Sequence, residues 1–227
     1  MANQHYSKSL FWLEKNRFLV LILSTVLTLV LPAFSGGGRL SEIILVITLS
    51  ILFLQSMVVA EVSGTNKRLL RLIVVSMLIL TWLKPAGYDS FYVELAKLGF
   101  IVVFFIFILS FLVRFISRST SVDINVLTVA INIYLLAGII GASLSFACYM
   151  IYPDAYNFPA YVEYPEFAHF LYYSFITMST VGYGDITPRI PETQTLAYLI
   201  SIAGQLYVAI IIAFLIGKFL MQSDQKK

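Results

Sequence analysis

Residues Thr180, Val181, Gly182, Tyr183, Gly184 and Asp185 stand in a row between two long apolar segments. Their chemistry is that of the main chain. Glycine at 182 and 184 allows backbone angles that a β-carbon disfavours, so successive carbonyls can point to one side. A row of carbonyl oxygens can take the place of the water around an ion. One chain supplies one row, whereas a dehydrated cation needs oxygens on all sides, so several copies must gather around a common axis. Gly-Tyr-Gly alone reads as an ordinary turn. Weight comes from the longer run Thr177-Met178-Ser179-Thr180-Val181-Gly182-Tyr183-Gly184-Asp185, and from its place between a half-length helix and a long apolar span.

The elements that must hold this loop are written in the composition. The chain has 227 residues, 59% apolar and 12% charged, against about 25% charged in soluble domains. A bilayer is the solvent such a chain fits. The net charge of +3 gives no basic face for nucleic acid. The single cysteine, Cys148, excludes an intrachain disulfide and any CxxC pair, and reads as a buried structural thiol. Length and lack of charge mark six spans, roughly 18–34, 43–60, 69–83, 98–115, 124–149 and 193–220. The third is short and carries Arg71 near its start, where a long side chain can snorkel to the interface. The expected fold is an all-α membrane protein of six transmembrane helices, with a re-entrant pore helix and filter loop between helices 5 and 6.

Charge sets the expected direction. With the N-terminus in the cytoplasm, only Arg39, Lys84, Lys97 and Arg189 of the 15 Lys/Arg fall outside, and the other 11 lie inside. Basic residues favour cytoplasmic loops, so both termini are expected in the cytoplasm of a cell-membrane protein. Eight of the 12 acids, Asp185 among them, fall outside. A competing reading of the first span is a cleaved signal peptide ending at Ala33-Phe34-Ser35. Its apolar run is longer than such a core usually is, and the span reading is preferred. Gly36-Gly37-Gly38 then forms a flexible external turn.

The loop follows a short apolar run, Phe167–Met178. Tyr164-Pro165-Glu166 reads as its start, since proline suits the first helical position and an acid in the first turn meets the positive end of the helix dipole. The helix is about 20 Å long and reaches part-way into a bilayer. The chain then returns as non-helical backbone, which is tolerated at that depth only inside protein or beside a water-filled path. The negative end of the helix dipole aims at the loop and favours a cation there, and outer acids concentrate cations at the mouth. The last span is about 42 Å of helix, longer than a hydrocarbon core of about 30 Å, so it must tilt or protrude. In the fifth, Gly138, Gly141, Ala142 and Ser145 are small enough for helices to approach closely.

Over roughly 124–220 the sequence resembles the potassium-channel pore family, and the whole layout is similar to its bacterial six-transmembrane type. The resemblance rests on the Thr180–Asp185 filter, on Tyr172-Tyr173-Ser174 in the pore helix and on Asp185-Ile186-Thr187-Pro188 after the filter. It implies a homotetramer passing potassium passively. It implies ion ligands at Thr180 (hydroxyl included), Val181, Gly182, Tyr183 and Gly184, with K+ held at 180–183. It implies support of the filter by Asp185, Tyr172, Thr177 and Ser179, with Tyr183 packing outward as a spacer. Many members carry a tryptophan pair where this chain has Tyr172 and Tyr173; Tyr172 either offers its hydroxyl to Asp185 or simply packs. Gly204, twenty residues after Gly184, has the spacing of the family's hinge glycine, and a small residue for close packing is the equal alternative.

The resemblance divides the chain into a cytoplasmic N-terminus (1–17), a four-helix domain in the sensor position (18–115), a pore domain (124–220) and a short cytoplasmic tail (221–227). A voltage sensor needs Arg or Lys at every third position within the membrane. Residues 98–113 carry no charge, so the four-helix domain is expected not to sense voltage. The tail is too short for a ligand-binding domain, and regulation then falls to the membrane, the pore, pH or a separate subunit. The alternatives are a weakly selective cation channel, against which the intact Thr-Val-Gly-Tyr-Gly stands, and a pore subunit of a potassium uptake transporter, whose four reduced filters in one chain are unlike this single complete one. An enzyme is not expected, nor a cofactor beyond the permeant ion. His5 and His169 are the only histidines, and no nucleophile–base or metal-ligand spacing stands out. His169 reads as packing or interfacial before it reads as a proton sensor.

Overall fold

The computed structural model describes residues 16–35, 38–62, 67–88, 90–119 and 121–224. Helices α1 (Arg17–Val30), α2 (Gly38–Val62), α3 (Lys67–Leu83) and α4 (Phe91–Arg118) precede α5 (Ile124–Ile151), the short α6 (Phe167–Met178) and the long α7 (Pro191–Asp224). A 3₁₀ turn, Leu31–Ser35, extends α1. Among the described residues, five helical stretches are long and apolar enough to cross a membrane by length and composition. The chain is thus an all-α, multi-pass membrane protein. The expected third span does not reach that length: the apolar part of α3 is Leu70–Leu83, because Lys67 and Arg68 occupy its first turn. Of the expected triple-glycine turn, Gly36 and Gly37 lie outside the described residues, and Gly38 opens α2 with a left-handed φ of 66°.

Apolar side chains around the full circumference let these helices bury in one another and in lipid alike. The core runs through Leu52 and Phe53 of α2, Phe104, Phe105 and Ile108 of α4, and Leu136 and Ile139 of α5, all at most 2% exposed. The first four helices meet the pore segment chiefly where α4 and α1 lie on α5. Two polar contacts fasten these seams. Buried Asn132 of α5 donates from Nδ2 to the Phe18 carbonyl of α1 at 3.1 Å. The Lys218 ammonium of α7 donates to the carbonyls of Ser119 and of Ile116 (3.0 Å), closing the C-terminal end of α4, where a cation also meets the negative end of the dipole.

The all-α expectation needs one amendment. Tyr156–Asn157 pairs antiparallel with Thr187–Pro188 as a minimal two-stranded ladder, β1 and β2. With Arg189 N–H donating to the Ala155 carbonyl at 2.8 Å, it ties the stretch after α5 to the stretch after the Gly-rich loop. Two-residue strands have no room to show a hydrophobic period, so sequence pattern does not reveal them.

Candidate functional site

Three helices position the loop. α6 is held on α5 by close approach: a Cβ added at Gly138 would lie 2.4 Å from the Phe175 ring, and one at Gly141 would lie 2.5 Å from Ser174 Oγ. In the space these glycines leave, Ser174 Oγ donates to the Gly138 carbonyl at 2.8 Å. α6 begins two residues later than a proline start would place it. Phe167 is its first residue, Glu166 is the N-cap, and Pro165 stands outside. The reason is local: the Glu166 N–H donates to Nδ1 of His169 at 3.0 Å, so His169 satisfies a group the first turn leaves orphaned. The proline-first, acid-in-first-turn signature belongs instead to α7, which starts at Pro191 with Glu192 behind it. α7 also runs further than the 193–220 expected.

At the C-terminal end of α6 the backbone changes hand. Thr180, Gly182 and Gly184 have φ of 61°, 51° and 80°, while Val181 and Tyr183 between them are not left-handed. This alternation turns successive peptide planes so that the carbonyls can share one side. Glycine adopts such angles readily. Thr180 is β-branched, so its left-handed φ is strained by about 1–3 kcal/mol. The surroundings over-determine it. Thr180 N–H donates to the Thr177 carbonyl at 3.0 Å, and the N–H groups of Val181 and Gly182 both donate to Ile176 O at 3.0 and 3.2 Å. Ser179 Oγ donates to Phe175 O at 2.7 Å. The Thr180 hydroxyl donates to Ser179 O at 2.7 Å and accepts from Nε2 of Gln205 at 3.2 Å.

Asp185 ends the loop and is reached from α6: Tyr172 donates from its hydroxyl to Oδ2 at 2.7 Å. That hydrogen bond to a carboxylate stabilises the neutral phenol and pushes Tyr172 from its ordinary value of 10.0 up to about 12. Val181 and Tyr183 are 51% and 71% exposed in the single chain. The side chain expected to act as a spacer, Tyr183, is thus mostly uncovered in the single chain. Gly204 of α7 faces the end of α6, where an added Cβ would fall 2.1 Å from the Met178 carbonyl oxygen. It is a point of backbone-to-backbone approach in an unbroken helix.

Two contacts were outside the sequence reading. Gln205 touches Thr180 across 25 residues, and Lys218 reaches α4 across about 100. The first sits beside Gly204 with no motif of its own, and the second reads only as one more basic residue near a helix end. Among the described residues no three His, Cys, Asp or Glu side chains come together as a metal-binding group.

Comparison with curated proteins and with solved structures gave no match. Residues 126–222, under half of the chain, match a family model described as "Ion channel". The match starts in the first turn of α5 and ends in the last turns of α7, so α5, α6, the Gly-rich loop and α7 fall within it. Over this stretch the chain is similar to ion channels.

Proposed function

We infer that the protein is a potassium-selective channel that passes K+ passively through a pore built by four copies of the chain. The observation that carries this reading is the left-handed backbone at Thr180, Gly182 and Gly184, alternating with Val181 and Tyr183. It favours a one-sided row of carbonyls from Thr180 to Gly184, with the Thr180 hydroxyl at the inner end. Four rows around an axis would replace the hydration shell of the ion, and K+ would reside at 180–183. α6 is the re-entrant pore helix of this reading, with the negative end of its dipole toward the loop. Asp185, Tyr172, Thr177 and Ser179 support the loop through the contacts above.

Assembly from several chains has support in what one chain leaves uncovered. Along α7, Tyr198, Leu199, Ile202, Leu206 and Ile210 are all at least half exposed in the single chain. The reading counts the shorter α3 as a sixth pass of the cell membrane, which leaves both termini cytoplasmic and the Asp185 end of the loop outward, as the distribution of basic residues favours. α1–α4 form a domain of their own beside the pore, and a separate regulatory subunit is compatible with that arrangement.

The test is flux into liposomes holding a potassium gradient. Uptake is expected to follow potassium, to be blocked by barium and to be nearly absent for sodium. Equal sodium and potassium flux would replace this reading with that of a weakly selective cation channel.

A further inference from the structure

A cavity of about 520 Å³ opens where α2 begins, α3 ends and α4 begins, and its far wall is Phe146 of α5 with Pro165–Ala168 at the start of α6. Its volume is in the range of sites for drug-sized ligands. The floor is apolar: Val46, Leu49, Leu98 and Ile101 line it and are at most 4% exposed. Its walls are charged, and in balance: Arg39, Lys84 and Lys97 against Glu42, Glu94 and Glu166.

The charges are not arranged as helix glue would be. Lys97 and Glu94 pair at 2.5 Å on the same helix, with side chains only 13% and 12% exposed. A pair so enclosed pays desolvation without joining two elements, and apolar residues of the same volume commonly do as well or better. Lys84 and Glu42 pair at 3.2 Å between the α3 end and α2. Neither Arg39 nor Glu166 has an ion-pair partner among the described residues; the Glu166 carboxylate accepts from the His169 backbone N–H in the capping box of α6, which leaves its charge without a cation. The cavity therefore presents one unpaired cation and one unpaired anion above an apolar floor, with the two ion pairs between.

We propose that this cavity is a binding site for a small zwitterionic amphiphile, a phosphoethanolamine headgroup with its apolar stem. The phosphate is taken by Arg39, whose planar fork suits phosphate oxygens. The ammonium is taken by Glu166, and the stem lies on Val46, Leu49, Leu98 and Ile101. A primary ammonium fits better than a quaternary one, because the lining holds carboxylates and no tyrosine or tryptophan cage. The bound molecule would join α2, α3 and α4 directly to the start of α6, which the packing of the first four helices otherwise reaches through α5. The site gives the four-helix domain a task other than sensing voltage.

The same headgroup can come from the bilayer or from water, and two arms separate these sources. The full-length protein is placed in phosphatidylcholine nanodiscs. Phosphatidylethanolamine is titrated in and bound lipid counted by native mass spectrometry; in parallel, soluble phosphoethanolamine is titrated by calorimetry. Saturable binding in the first arm alone assigns the bilayer as the source, and saturable binding in the second assigns the aqueous side. In either arm Arg39→Gln with Glu166→Gln should weaken binding roughly tenfold or more, the loss of two charge-assisted contacts. No saturable binding in either arm overturns the proposal, as does unchanged affinity in the double variant. Should the double variant not fold, Arg39→Gln alone, at an exposed position, carries the same comparison. Binding is read without ion flux, so its failure stands apart from failure of the channel reading.

Discussion

Gly182 and Tyr172 show how much a single residue carries in this loop. Gly182 has a φ of 51° with open space around it, so an alanine there meets no steric neighbour and is opposed by backbone strain alone, about 1–2 kcal/mol in the left-handed region. Gly182→Ala is expected to abolish selective potassium flux while the oligomer still assembles, read by liposome flux and native mass. Wild-type selectivity in that variant would place the carbonyl row elsewhere. Tyr172→Phe removes the donor to Asp185. Because the tyrosine is partly exposed and solvent screens the pair, the loss in stability should be at most about 1 kcal/mol, seen as a small drop in Tm. The pH dependence has a definite sign. Folding raises the phenol from 10.0 to about 12, so its contribution is complete below pH 10 and disappears as pH rises through about 12. Tyrosinate absorbance on alkaline titration should therefore lose one of its late steps, near pH 12, in Tyr172→Phe, and an unaltered titration would remove Tyr172 from the mouth. At this scale the loop was readable in the sequence because glycine's freedom is a property of the residue itself. The left-handed Thr180 was not, since no β-branched residue takes that angle by its own preference; contacts from Thr177, Ile176 and Gln205 hold it there.

The seams between helices depend on small residues in register. Gly204 and Gly217 both lie in α7, yet only Gly204 meets another backbone, at Met178, while nothing lies within 4 Å of a Cβ at Gly217. Gly204→Ala must displace either α7 or the end of α6, for about 1–3 kcal/mol of overpacking, and should lower both Tm and flux. Gly217→Ala should leave the Tm unchanged or slightly raised, since alanine is the better helix former. Equal melting temperatures for the two variants would show that the α6–α7 seam is looser than drawn. A hinge at Gly204 would appear instead as altered flux with Tm retained. The helices were readable from apolar runs, but their ends were not. Proline at the first position and an acid after it describe both Pro165-Glu166 and Pro191-Glu192; the first pair lost the role because His169 reaches back to the Glu166 N–H, a contact no spacing rule distinguishes in advance.

Assembly and regulation belong to the whole molecule. α4, from Phe91 to Arg118, is charge-free between Lys97 and Arg114, and Lys97 is held by Glu94. Moving one charge across the membrane changes the energy by about 2.3 kcal/mol per 100 mV, so a domain with none to move should give open probability nearly flat between −100 and +100 mV. Steep voltage dependence in planar bilayers would reverse the assignment of the four-helix domain. On the proposed reading, native mass should give four chains per particle, with the exposed residues of α7 and Tyr183 at the seams between them. A monodisperse monomer that still conducts would contradict the shared pore.

The sequence by itself determined the chemistry that lives in the main chain and in composition. Thr180–Asp185 stands out because the carbonyl row proposed for it needs only carbonyls and glycines in order, and the apolar helices because lipid asks for length and lack of charge. The tertiary structure decided what depends on approach. It decided that Gly138 and Gly141 receive α6, that Gly204 meets Met178, that Tyr172 reaches Asp185, and that Lys218 closes α4. It also gathered Arg39, Lys97 and Glu166, far apart in the chain, around one cavity. The physical reason is range: backbone preference acts within a few residues, whereas a hydrogen bond or a steric contact acts over a few ångströms in space, whatever the separation along the chain.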